Sequence, residues 1–437
     1  MNYARRFSGV VLLVCAAAGM LMVGPAAAGF NPDESSLPPW CTVEEDQFGP
    51  LFRIDTTSVD DPGEWSKVPG IKRCWGLDEN EGLDQWLGNV ADVDGDGKAE
   101  LFRSTVKDGG RRIVRVEHDG TLTWKSDEIH RALGNESGMT VEDIDRDGTA
   151  ELSFNVYRQL WCLNSETGET EWKVKLPESP NNFQASVVGH FADRQKVSVA
   201  VRVEDTVFCY DSGGELAWTH TLGVPDLYGH DMSHHDIDGD GYDEVLISLN
   251  QRFIALDEDG TVLWEDREQE NHSDFILFGD VSGDGNVDVV YDHDGCAAQQ
   301  GPIVAADGRT GDIVQKWEYV RPGKDHLQRA TLGDFNPDSP GLELVAVGKR
   351  EGFGGLIQWD SNGELLWKKD IPTAWISKGD WNGDGSLEIL LSRSGSASFS
   401  VWTGDGERLY ALDVPWPQIS RQESPYAGLP YPMGVEC

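Results

Sequence analysis

The chain has 437 residues, with 76 Asp and Glu against 36 Lys and Arg and a formal net charge of −40. That balance leaves no basic face to displace counterions from phosphate, which excludes a nucleic-acid partner. No stretch after the first residues is long and apolar enough to span a bilayer, so no membrane span is expected.

Residues 1–28 read as a signal peptide: Arg5 and Arg6, an apolar run from Val10 to Val23, then Ala26 and Ala28 at a small-residue cleavage site. The mature protein is expected to be exported, secreted or periplasmic, starting at Gly29. Cys41, Cys74, Cys162, Cys209, Cys296 and Cys437 follow the leader, an even number that suits disulfides in an oxidising compartment. A Cys41–Cys437 bridge is one way to fasten the ends, whereas Cys162 and Cys209, in the same phase of neighbouring repeats, also read as buried thiols. Residues 29–85 form an N-terminal segment whose expected hairpin pairs Leu51-Phe52-Arg53-Ile54 with Glu64-Trp65-Ser66-Lys67-Val68, a cover or an incomplete blade. Residues 86–414 are repetitive and 415–437 form a C-terminal tail.

The repeat opens on an acidic loop, seen in full as Asp236-Ile237-Asp238-Gly239-Asp240-Gly241-Tyr242-Asp243-Glu244. Oxygen side chains at its first, third, fifth and ninth positions can surround one hard cation, and the glycine at the sixth allows the sharp turn. Val245-Leu246-Ile247-Ser248-Leu249 follows, β-branched and apolar, so the loop joins two strands. Copies begin at Asp92, Asp143, His190, Asp236, Asp280, Asp334 and Asp380, separated by 44 to 54 residues, the period of a four-stranded propeller blade. The expected fold is therefore an all-β, seven-bladed β-propeller with Ca2+ loops, eight blades being the alternative.

Six loops carry the ligands for several structural Ca2+ ions. They are Asp92, Asp94, Asp96 and Glu100; Asp143, Asp145, Asp147 and Glu151; Asp236, Asp238, Asp240 and Glu244; Asp280, Ser282, Asp284 and Asp288; Asp334, Asn336, Asp338 and Glu343; and Asp380, Asn382, Asp384 and Glu388. In the third repeat His190, Ala192 and Arg194 stand where the acids should be, and that loop is expected to be empty. A hairpin closes each unit, and Trp124, Trp172, Trp218, Trp264, Trp317 and Trp367 share one phase there, suited to filling the space between blades.

These loops resemble the calcium-binding repeats of integrin-α-type (FG-GAP) propellers, from Trp86 to Val414. The fuller unit, a calcium loop and a hairpin ending in Gly-Glu-Leu-x-Trp, is similar to bacterial rhamnogalacturonan lyases. Gly229-His230-Asp231-Met232-Ser233-His234-His235-Asp236 resembles their Gly-His-Gly-Asp-x-x-His segment, and Pro340-Gly341-Leu342-Glu343 resembles their variant loop. Those enzymes have eight blades and added β-domains, which this chain lacks the length to match. The resemblance implies a polysaccharide lyase that cleaves a uronic-acid-containing, rhamnogalacturonan-like polysaccharide by β-elimination. It equally admits a non-catalytic propeller that binds glycans or proteins at the cell surface. The periodic Trp also resembles quinone-cofactor propellers, for which blade packing is the plainer explanation.

Comparison among the repeats marks positions that depart from the repeat's own pattern. Two residues before the loop most repeats are apolar, but His234 and Lys378 are not; one residue before it most are Gly or Ala, but Glu142 and His235 are not. Six to eight residues before the loop, Gln85, Trp86, Asn135, Tyr228, His230, His272, Asp274 and His326 should converge on one rim of a central channel, with Arg329 beside them. Rings to stack and polar groups to orient hydroxyls suit a sugar-binding mouth. β-Elimination needs a group to neutralise the uronate carboxylate, a base for the C5 proton and an acid for the leaving oxygen. His230 is the first choice for base, with His234, His272 or His326 as alternatives, and Tyr228 is the candidate acid. Arg329, Lys378 or a bound Ca2+ would hold the carboxylate. His230, His234 and His235 with Asp231 also have the ligand types of a transition-metal site such as zinc. The expected partner is a polysaccharide or cell-surface glycan, taken up by a monomer.

Overall fold

After each loop comes a strand in which every residue is buried, as in Glu100–Thr105, Glu151–Val156, Glu244–Leu249 and Glu343–Gly348. A short, continuous buried run of this kind marks a strand covered on both faces. The computed structural model describes residues 12–16, 19–23, 37–55, 71–75, 83–105, 110–129, 139–156, 158–178, 184–223, 232–250, 252–268, 273–293, 302–318, 327–337, 339–348, 355–371, 374–393 and 398–413. Among them are six antiparallel sheets of four consecutive strands each and a seventh in which four consecutive strands are joined by two more; we number these as blades: 83–125, 140–175, 184–221, 232–266, 276–317, 327–369 and 374–413. The fold class is an all-β, seven-bladed propeller, as the repeat spacing predicts. A separate three-stranded sheet joins Leu12–Ala16, Gly19–Val23 and Ile71–Trp75.

The chain divides into two compact units, one of residues 80–328 and 361–363, the other of residues 1–79, 329–360 and 364–437. In the first unit Trp124, Trp172, Trp218 and Trp264 reach the next blade, whereas Trp317 falls two residues out of that phase, where Gln315 takes the tryptophan's place opposite Ala305. The indole N–H of Trp124 donates to the Ser165 carbonyl at 3.0 Å, that of Trp172 to Ser212 at 2.8 Å and that of Trp264 to Gly308 at 2.7 Å. The ring faces lie against the turn glycines of the following hairpin, Trp218 on Gly260 and Trp264 on Gly311. These contacts assign the periodic tryptophans to blade packing. In the second unit Trp367 makes the same bond to Gly404 at 2.8 Å.

Blade seven departs from the four-strand pattern. Leu51–Ile54 falls within the strand Gly49–Ile54, but its partner is Cys41–Asp46, and the expected partner 64–68 lies outside the described residues. Gly49–Ile54 then pairs in parallel with the last strand, Arg408–Asp413, giving six strands. Arg408 holds the junction, with both guanidinium nitrogens on Asp46 at 2.7 Å. Cys41, Cys162 and Cys209 are buried thiols, and burial pushes Cys209 up to about 12, where it is inert. Cys437 lies outside the described residues.

Gly260 tests the interlock. Its φ is +81°, and an added Cβ would meet Trp218 at 2.7 Å. Gly260→Ala is expected to destabilise the protein by about 1–3 kcal/mol through overpacking and a left-handed backbone. A denaturant midpoint equal to that of the wild type would show that the ring is not a packing partner.

Candidate functional site

The acidic loops fold on their own backbone. In blade four Asp236 accepts the N–H groups of Gly239 at 2.8 Å and Gly241 at 3.1 Å, Asp238 accepts that of Asp240 and Asp240 that of Tyr242. The ninth-position acid begins the second strand, is fully buried, and its Glu244 Oε2 accepts the Ile237 N–H at 2.8 Å. Glu100, Glu151, Asp288, Glu343 and Glu388 repeat that bond in their own blades.

The second oxygen of these acids is the informative one. Glu100, Glu151, Glu244 and Glu343 Oε1 and Asp288 Oδ1 are buried with no hydrogen-bond partner. A buried carboxylate oxygen without a partner is costly. One oxygen from each of Asp143, Asp145 and Glu151 lies within 4.8 Å of the others, and Asp236, Asp238 and Glu244 form the same kind of group, as do Asp92, Asp94 and Asp96. An all-oxygen donor set with a missing positive partner fits a hard divalent cation. In blade seven Asn382 donates to Glu388 Oε1 at 3.0 Å. Asp338 lies outside the described residues.

Fixed cations take part in two blades. In blade three Arg194 leaves its own degenerate loop, approaches Asp240 of blade four at 3.2 Å and lies over the Tyr242 ring. In blade one Arg115 binds Glu117 at 2.9 Å and approaches Asp94 at 3.4 Å. Arg115, Glu117, Asp257 and Glu258 were not among the sequence candidates; the signal for them is a shared hairpin phase, since Glu117 and Asp257 occupy equivalent positions.

The histidines divide differently from the sequence expectation. His234 sits at the loop end of its strand, away from the rim positions, because it precedes Asp236 by two residues in Met232–His235. Its Nδ1 lies 3.3 Å from Asp243, which also accepts the His190 backbone N–H at 2.8 Å, and its ring meets Phe191 edge-on. Gly189 is small for this reason: an added Cβ would meet Asp243 at 2.6 Å. His235 stacks on Phe278 instead, and burial lowers its pKa. Successive strand residues point to opposite faces, so these two rings diverge and do not converge on one transition metal. Tyr228, His230, Asp231, His272 and His326 lie outside the described residues.

Of the two basic candidates, Arg329 lies over the Trp375 ring at 4.1 Å, near the start of Leu327–Gly333. Lys378 lies near the end of Ala374–Gly379 and donates to the Leu332 carbonyl, and burial lowers its pKa. Lys378 therefore serves the loop end of its blade and not the rim. A buried trio, unforeseen from sequence, ties blades four and five: Tyr291 and His293 both bond to Asp266, at 2.8 Å and 2.5 Å.

Comparisons with known proteins agree with this architecture. A model of the FG-GAP-like repeat matches residues 92–153, and one described as outer membrane protein assembly factor BamB matches residues 158–331. Rhamnogalacturonan endolyase YesW of Bacillus subtilis (strain 168) is 25% identical over 342 residues, 71% of this chain and 50% of that protein. Rhamnogalacturonan exolyase YesX of the same organism is 22% identical over 378 residues, 68% of this chain and 60% of that protein. The crystal structure of the exotype rhamnogalacturonan lyase YesX superposes with a TM-score of 0.52 at 18% identity, over 76% of this chain and 72% of that one. The chain resembles rhamnogalacturonan lyases in sequence and in fold. It spans 50% and 60% of the length of the two curated relatives.

Without metal, burial and then neighbouring carboxylates raise Glu151 and Glu244 from 4.5 to about 8. The folded protein then binds more protons than the unfolded chain between these values, so its stability is greatest below the lower one and is lost as pH rises toward the upper. In chelator the thermal midpoint is expected to fall from about pH 5 to about pH 8. A flat or rising midpoint across that window would contradict the burial of these acids.

Proposed function

We propose that the chain is an exported, calcium-stabilised propeller that cleaves a uronic-acid-containing polysaccharide, rhamnogalacturonan-like, by β-elimination. The observation that carries this reading is the similarity to two rhamnogalacturonan lyases over about 70% of the chain, 71% and 68%. The loops fit Ca2+ through the unpartnered buried oxygens of their ninth-position acids. Bound calcium supplies positive charge that staples the loops and offsets the repulsion between an acidic protein and an acidic polymer. Residues 1–28 act as the leader for export, so the mature chain lacks Leu12–Ala16 and Gly19–Val23 of the three-stranded sheet.

In this reading Arg329 neutralises the uronate carboxylate, which lowers the barrier to losing the C5 proton. His230 takes that proton, and Tyr228 gives one to the leaving oxygen. The products are a shortened chain and an unsaturated uronate end. The second reading is a non-catalytic glycan-binding propeller, and one observation favours it: His234, the one described histidine of the base set, is committed to Asp243 and Phe191.

The purified chain, incubated in calcium with a panel of uronate polysaccharides, is expected to produce the ultraviolet absorbance of an unsaturated uronate. His230→Ala should slow that rise by about 10²–10⁴-fold with circular dichroism unchanged. Retention of a glycan without any absorbance change would establish the binding module instead.

A further inference from the structure

Every blade has a register shift near the end of its third strand, between Arg115 and Val116 in blade one and between Ala255 and Leu256 in blade four. This shared irregularity aligns the two blades residue for residue. Asp94, Glu100 and Glu117 in blade one then correspond to Asp238, Glu244 and Asp257 in blade four. In blade one the three acids surround a built-in cation, with Arg115 at 3.4 Å from Asp94, 3.8 Å from Glu100 and 2.9 Å from Glu117. The equivalent of Arg115 in blade four is Ala255, which is fully buried and carries no charge.

Blade four does not compensate by losing acids; it gains one. Glu258 follows Asp257, and no other blade has an acid at that position. One oxygen each of Glu244, Asp257 and Glu258 lies within 4.8 Å of the others, and Glu244 belongs as well to the loop group of Asp236 and Asp238. Glu244 is 0% exposed; its Oε2 is taken by the Ile237 N–H, and its Oε1 is buried without a partner. The neighbouring basic groups are engaged elsewhere, Arg194 with Asp240 and Arg309 with the Asp238 carbonyl and Asn286. Among the described residues no basic side chain pairs with Glu244, Asp257 or Glu258. Three carboxylates this close repel strongly unless a proton or a cation stands between them.

We infer that blade four holds two hard divalent cations: one in the loop set of Asp236, Asp238 and Glu244, and a second in the set of Glu244, Asp257 and Glu258. Glu244 is shared, and the second ion stands where blade one carries the Arg115 guanidinium. This rests on the reading of the loops as calcium sites. Carboxylate oxygens on a loop and a hairpin turn suit Ca2+, which accepts irregular, all-oxygen coordination.

The test counts calcium bound per chain, by calorimetric titration and elemental analysis of the full-length protein after chelation and refilling. Asp257→Asn with Glu258→Gln is expected to bind one ion fewer than the wild type, with the loop site retained. Ala255→Arg is expected to lose the same single ion by supplying the charge itself. If that buried arginine prevents folding, the Asn and Gln pair alone decides. Calcium binding with unchanged stoichiometry in the folded pair would overturn the second site and leave the loop reading standing. A wild type that binds no calcium would overturn both.

Discussion

Six of the seven blades are organised by a buried carboxylate with one oxygen satisfied by the loop backbone, and in five of them the other oxygen has no hydrogen-bond partner. The satisfied oxygen clamps the loop's second N–H, which fixes where the loop ends and the second strand begins. The acid also pairs across the ladder with the residue just before the loop: Ala91 with Glu100, Glu142 with Glu151, His235 with Glu244 and Gly279 with Asp288. Loop closure and strand register are thus one event. The unsatisfied oxygen makes that event depend on a positive charge from outside the backbone, because burying it without a partner opposes folding. The protein's own side chains meet this demand in blade seven through Asn382, and Arg115 adds a guanidinium to the acids of blade one.

A second constraint acts between blades. In five blades the hairpin tryptophan rests on the turn glycine of the next, and the N–H groups of Trp124, Trp172, Trp264 and Trp367 are bonded to a carbonyl there. Shape and a directional bond therefore specify the same neighbour, so the spacing of the hairpins is set by the indole. This explains why the sequence keeps tryptophan at that phase while the outer strands, such as Thr170–Lys175 and Leu216–Thr221, alternate between exposed and half-buried residues.

Much of the fold was legible because its signals are local. A nine-residue loop and a hairpin ending in Trp each report on a turn and its own two strands, and their period reports the blade. The site was less legible because it depends on pairs far apart in sequence. The partner of Leu51–Ile54 could not be chosen from composition, since two flanking segments had strand-like residues, and Cys41–Asp46 takes one edge of its strand while Arg408–Asp413 takes the other. His234 stands among the alternative bases as a histidine near other histidines, although its two-residue distance from Asp236 places it at the loop end of Met232–His235. Asp257 and Glu258 looked like ordinary turn acids, and only the loss of an arginine two residues earlier, visible against blade one, gives them another meaning.

The parallel pairing of Gly49–Ile54 with Arg408–Asp413 has a consequence for how the chain is made. Asp46 and Arg408 are 362 residues apart, so this sheet waits for almost the whole polypeptide to leave the ribosome. Until then an early hairpin carries an unpaired strand edge, while blades built from neighbouring residues can form in turn. The longest loop closure comes last and is the slowest to find. Blade seven is where an interrupted synthesis or a late truncation leaves its mark, as an open edge available to another chain.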